Sequence, residues 1–229
     1  MEQWIVDVHS HLVPSGDDGA RTVEEGIELC RRAAAHGTRV LYATAHVHAS
    51  WGQYPLTSER LARYTETFPV MRAACATFGL ELRRGFELYP GALPASADLR
   101  DFALGTSGTV LIEFPGFWTR EPDPLQAVWD EAERAERAGL VPVLAHPERC
   151  GAIVDDPERI ADFTERGWLL ALNALSLDGR HEPSTQQTAW HLLESGRGDL
   201  VAARLGERRA RSLFDGSALE RAVETPIAA

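Results

Sequence analysis

Seven short apolar runs alternate with helical stretches along this chain, and that alternation limits the fold more than any other feature. The runs are Trp4–Val6, Arg39–Thr44, Leu80–Phe86, Thr109–Ile112, Val141–Ala145, Gly167–Leu172 and Leu200–Ala203. Between them, Thr22–His36, Thr57–Phe78, Pro124–Ala138, a stretch opened by Asp156-Pro157, and Pro183–Ser195 read as helices, and two short helical pieces close the chain. Thr22 is a natural cap, with Glu24 and Glu25 in the first turn and Arg31-Arg32 in the last, matching the helix dipole. Pro69 is expected to kink or split the second helix, because it removes a donor and crowds the preceding turn. Repeated strand–helix units call for parallel strands with helical crossovers, so the pattern predicts an α/β barrel formed by one domain over residues 1–229.

The strand ends carry the chemistry. His9, His11, His46, Glu87, Glu113 and His146 each lie at or just past the C-terminal end of a predicted strand, five strands in all. In a parallel barrel those ends share one rim, where active sites gather. Residues two apart on a strand face the same way, so His9 and His11 can offer two imidazoles to one point. Imidazole and carboxylate together suit Zn, Mn or Fe ions, which polarise oxygen and activate water.

Composition removes competing chemistries. All 23 basic residues are arginine, which excludes a Schiff-base lysine or a phosphate-loop lysine. The net charge of −11 repels a nucleic-acid backbone. Cys30, Cys75 and Cys150 form no Cys-x-x-Cys pair and none has an arginine six residues on, so they read as reduced structural thiols. No apolar run approaches the length of a membrane span, and the N-terminus lacks the marks of a signal peptide. A cytoplasmic protein, not embedded in a membrane, is expected.

The segments DVHSHLVPSGDDG, YATAHVH, GFELYPG, VLIEFP and AHPER, in that order, resemble the polymerase-and-histidinol-phosphatase (PHP) superfamily over about Ile5 to Leu175. They resemble most its bacterial capsule-locus branch, the manganese-dependent protein-tyrosine phosphatases. The resemblance implies a distorted seven-stranded, TIM-like barrel holding up to three metals. His9, His11 and Glu87 would bind one ion; Glu87, Glu113 and His146 a second; Asp18 and His46 would belong to a third. Arg149 would grip phosphate, and counting on without a gap puts Arg211 at the place of a second phosphate-binding arginine. The implied activity is phosphoester hydrolysis by metal-activated water, with a phosphotyrosine protein as substrate, a tyrosine kinase among the candidates, in the control of capsular or exopolysaccharide synthesis.

One family motif is missing. A Ser-Asp-x-His segment follows the last strand in the family, whereas Ala203, Arg204, Leu205 and Gly206 stand there in this chain. An arginine cannot ligate a cation. Two divalent ions are therefore expected, Mn first with Fe or Zn as alternatives, and a third site that is weak or absent. Arg204 can instead stand in as a fixed cation for phosphate, and His48 as a substitute donor; the cluster Arg204, Arg208, Arg209 and Arg211 equally reads as a solvated helix face. His36 reads as a helix-end residue favoured by the dipole, His181 and His191 as surface residues, and Asp17 as a turn or cap residue. Trp51, Tyr54, Phe117 and Trp118 either wall an aromatic phosphoester pocket or pack their loops. Two other functions stay open: a catalytically impaired relative that binds metal or a phospho-ligand, and a phosphatase of small metabolites such as histidinol phosphate.

Overall fold

The computed structural model describes residues 5–48, 52–117, 119 and 122–202. Its strands are β1 (Ile5–Ser10), β2 (Thr38–Val47), β3 (Glu81–Leu88), β4 (Thr109–Glu113), β5 (Val141–Ala145), β6 (Leu169–Asn173) and β7 (Leu200–Ala202). All pair in parallel, in sequence order. Because β7 returns against β1, the sheet nearly closes on itself. The α/β seven-stranded barrel expected from the alternation is the observed fold.

Period two along the strands separates two apolar layers. Val40 and Tyr42 of β2, Leu111 of β4, Val143 and Ala145 of β5 and Ala171 of β6 cluster together, joined by Leu104. Their alternates, including Leu41, Ala43, Val110, Ile112, Leu144, Leu170 and Leu172, pack against the helices. Burying each large apolar side chain of this kind contributes about 1.5–3 kcal/mol. Gly85 makes room for Leu104, since a Cβ there would sit 2.7 Å from Leu104 Cδ2.

The helices are α1 (Val23–Ala35), α2 (Ser58–Ala76), α3 (Pro124–Arg137), α4 (Gly151–Asp155), α5 (Ala161–Glu165), α6 (Ala174–Leu177) and α7 (Pro183–Glu194). Thr22, Thr57 and Asp123 cap α1, α2 and α3 by accepting the amides of Glu25, Arg60 and Gln126. α1 buries Gly26, Leu29, Cys30 and Ala33, one stripe at helical spacing.

Three details differ from the sequence reading. β1 continues past Val6 to Ser10, with its register against β2 shifting between Asp7 and Ser10. Such irregularities re-aim side chains beside functional sites. α2 is not split at Pro69: it is one helix over Ser58–Ala76, and Thr65 and Pro69 are both exposed. The stretch opened by Asp156-Pro157 starts as a 3-10 turn, Pro157–Ile160, before α5.

Candidate metal centre

The inward alternation of each strand ends on a polar residue at the same rim. Val40, Tyr42 and Thr44 lead to His46, Gly85 leads to Glu87, and Leu111 leads to Glu113. His146 breaks this parity, since Val143 and Ala145 are the inward residues of β5. It adopts a left-handed backbone with φ 43°, which swings its ring back into the barrel mouth.

The resulting cluster is tight and buried. His9, His11, His46, Glu87, Glu113 and His146 are between 0% and 6% exposed. Glu87 is the hub. Its Oε2 lies 3.1 Å from His9 Nε2, 3.2 Å from His11 Nε2 and 3.2 Å from His46 Nδ1. Its Oε1 lies 2.9 Å from His146 Nε2. The Nε2 atoms of His9 and His11 are 3.2 Å apart.

Among the described residues, three groups bring ligand atoms within 4.8 Å of one another: His9, Glu87 and His146; His46, Glu87 and Glu113; and His11, Asp18 and His46. The first two share Glu87 and the last two share His46. Asp18 is 29% exposed, and its Oδ1 faces His11 Nδ1 at 3.5 Å and His46 Nε2 at 3.6 Å. That oxygen is buried and accepts no hydrogen bond among the described residues. Buried carboxylate oxygens facing imidazole nitrogens form a donor set that fits divalent ions, since a cation relieves the burial of the carboxylates.

Asp17, read from the sequence as a turn residue, does more than shape the turn. Its Oδ1 accepts the Gly19 amide at 3.1 Å, as a turn residue would. Its Oδ2 accepts the His46 amide at 3.1 Å and lies 3.6 Å from His11 Nδ1. Burial alone would raise the Asp17 carboxyl, but hydrogen bonding to His11 and the fields of His11 and His46 hold it well below the usual carboxylate range. A carboxylate behind a ligating imidazole fixes the tautomer and ring orientation.

Glu148 plays a similar part on the far side. It is fully buried and accepts the Asn173 amide at 2.9 Å and the Ser176 hydroxyl at 2.8 Å. This ties the turn that carries His146 to the end of β6. Burial pushes its carboxyl above the ordinary value.

Arg149 sits in the 3-10 turn Pro147–Arg149, half-buried, with its amide donating to the His146 carbonyl at 2.9 Å. Arg204, Arg208, Arg209 and Arg211 lie outside the described residues, as do Trp51 and Trp118. His48 stands outside the three ligand groups, its ring against Tyr89 at 5.7 Å. His36 contacts the Arg32 carbonyl, His181 the Ser176 hydroxyl and His191 Glu158, so these histidines hold other places. Tyr54 stacks over His46, with ring centroids 5.8 Å apart and planes 15° from parallel. Phe117 packs beside Gly151.

Residues 5–215 match the family model described as capsular polysaccharide synthesis, CpsB/CapC. Tyrosine-protein phosphatase YwqE of Bacillus subtilis (strain 168) is 25% identical over 217 residues, covering 94% of this chain and 82% of that protein. Tyrosine-protein phosphatase CpsB of Streptococcus agalactiae serotype V is 25% identical over 185 residues, covering 74% and 68%. Among solved structures, one from work on YwqE of Bacillus subtilis and CpsB of Streptococcus pneumoniae, metal-dependent tyrosine phosphatases, superposes with a TM-score of 0.77. That match has 24% identity, covers 98% of this chain and 88% of the other, and supports the fold. With the family model spanning nearly the whole sequence, this chain belongs to the CpsB/CapC family of capsular polysaccharide synthesis proteins.

Proposed function

We propose that this protein is a metal-dependent phosphoester hydrolase acting on phosphotyrosine in a protein substrate. The observation that carries the reading is the convergence of His9, His11, His46, His146, Glu87, Glu113 and Asp18 at one barrel mouth. The names of its relatives support the substrate class. When bound, divalent ions would supply Lewis acidity, lowering the pKa of a water to about 7 and neutralising phosphoryl oxygens. Two ions, Mn first among them, suit the donor groups that share Glu87.

The chain's own residues do the rest. Glu87 would serve both groups of donors, because its two oxygens face different imidazoles. Asp17 and Glu148 hold the ligand-bearing loops in register. Arg149, on the rim beside His146, offers a planar fork to the phosphoryl oxygens, and Arg211 a second. Phenolate leaves with less protonation than an alkoxide, which suits a tyrosine ester. The substrate is a cytoplasmic phosphoprotein, a tyrosine kinase of the capsule or exopolysaccharide system being the first candidate.

A second reading has one specific observation behind it. Ala203, Arg204, Leu205 and Gly206 replace the family's last ligand motif, which favours a relative that binds ions or phospho-ligands without turnover. One assay separates these readings: Mn-dependent phosphate release from a phosphotyrosine peptide, beside a phosphoserine peptide and histidinol phosphate. Preferential turnover of the phosphotyrosine peptide supports the proposal. Ion binding without turnover of any of the three supports the second reading, and preference for histidinol phosphate overturns the substrate class.

A further inference from the structure

We infer that Arg60 is a positioning residue for the metal centre, one that clamps the loops after β1 and β2 in the geometry that brings His11 and His46 to Glu87. This rests on the metal reading above. Arg60 lies in the first turn of α2 and its side chain is 11% exposed. Every arm of its guanidinium is engaged. Nε donates to the Ser15 carbonyl at 3.1 Å, and Nη1 donates to the carbonyls of Tyr54 and of Pro55, the latter at 3.0 Å. Nη2 donates to the His46 carbonyl at 3.0 Å and to Ser15 Oγ at 3.4 Å, and sits 3.9 Å from Asp17 Oδ2.

These acceptors come from two separate loops. Ser15 and Asp17 follow β1, while His46 is the penultimate residue of β2 and Tyr54 and Pro55 follow that strand. The His46 peptide is held from both sides: its N–H goes to Asp17 Oδ2 and its carbonyl to Arg60 Nη2. Asp17 in turn faces His11 Nδ1. Moving Arg60 would free the Tyr54 segment, whose ring stacks on His46 and whose backbone holds φ 57°. Asp17 makes a second link between the same loops, accepting the amides of Gly19 and His46. The fork geometry is specific to arginine, because an ammonium has only three donors and no fixed plane.

Residues that orient metal ligands from behind change metal affinity about 10–100-fold when removed. The test compares wild type, Arg60→Gln and Arg60→Lys by Mn titration calorimetry, well below the melting temperature of each, with p-nitrophenyl phosphate turnover across a range of Mn. Both variants are expected to weaken Mn binding about 10–100-fold. Turnover is expected to fall at low Mn and recover at high Mn, a rescue that a purely structural defect would not show. If Arg60→Gln does not fold, Arg60→Lys keeps a cation beside Asp17 and is read alone. Folded variants with wild-type Mn affinity overturn the clamp. A wild type that takes up no Mn overturns the metal reading, and the clamp with it.

Discussion

Glu87 on β3 places its Oε1 2.9 Å from Nε2 of His146, which follows β5, so groups from strands on either side of β4 meet inside the barrel mouth. Its other oxygen meets three more imidazoles. Glu87→Gln keeps the volume and removes the charge that a cation needs. Metal content, measured by atomic emission on protein purified without chelator, should fall by at least one ion. Turnover should drop more than about 100-fold, beyond the range for residues that act from behind the ligands.

Substitution of Arg149 tests substrate binding apart from metal binding. It adjoins His146 in sequence but carries no ligand atom for a divalent ion. Arg149→Ala is expected to leave metal content unchanged while lowering kcat about 10²–10³-fold, the loss typical of one donor to a developing oxyanion. Steady-state kinetics beside a metal count check this; a loss of metal would show that Arg149 supports the centre instead.

Gly19 fixes how closely the acidic loop approaches His11. A Cβ at this position would lie 2.3 Å from the His11 carbonyl oxygen and 2.7 Å from His11 Cβ. Gly19→Ala should therefore push Asp17 and Asp18 away from the imidazoles. Thermal unfolding should show a loss of about 1–3 kcal/mol, the usual result of overpacking. Mn affinity should weaken in parallel. A variant with unchanged affinity would place the loop outside the metal centre.

Thiol chemistry is excluded by burial. Cys30, Cys75 and Cys150 are each 0% exposed, and burial raises the Cys150 thiol above its ordinary value. A protonated, inaccessible thiol is a poor nucleophile. Iodoacetamide should leave the activity of the native protein intact, whereas a chelator should remove it, and activity assays after each treatment show which holds.

Much of this centre was legible because its donors sit where apolar runs stop. His46, Glu87 and Glu113 extend the inward alternation of their strands, so sequence order alone placed them on one rim. Asp7, His9 and Ser10 interrupt the apolar pattern, so the apolar run stops before β1 does. α4 and α6 span five and four residues, too few to show a helical period. Asp17 carried only a turn signal, because its second oxygen works across space on His46. Arg60 carried none, since it acts almost wholly through backbone carbonyls, which any sequence supplies.

On this reading, imidazoles and carboxylates from separate strands hold the catalytic cations. Protein purified without chelator should contain about two divalent ions per chain, as a two-metal site requires. It should hydrolyse p-nitrophenyl phosphate, lose that activity in EDTA and regain it with Mn. Metal-free protein with full, chelator-resistant turnover would contradict the account.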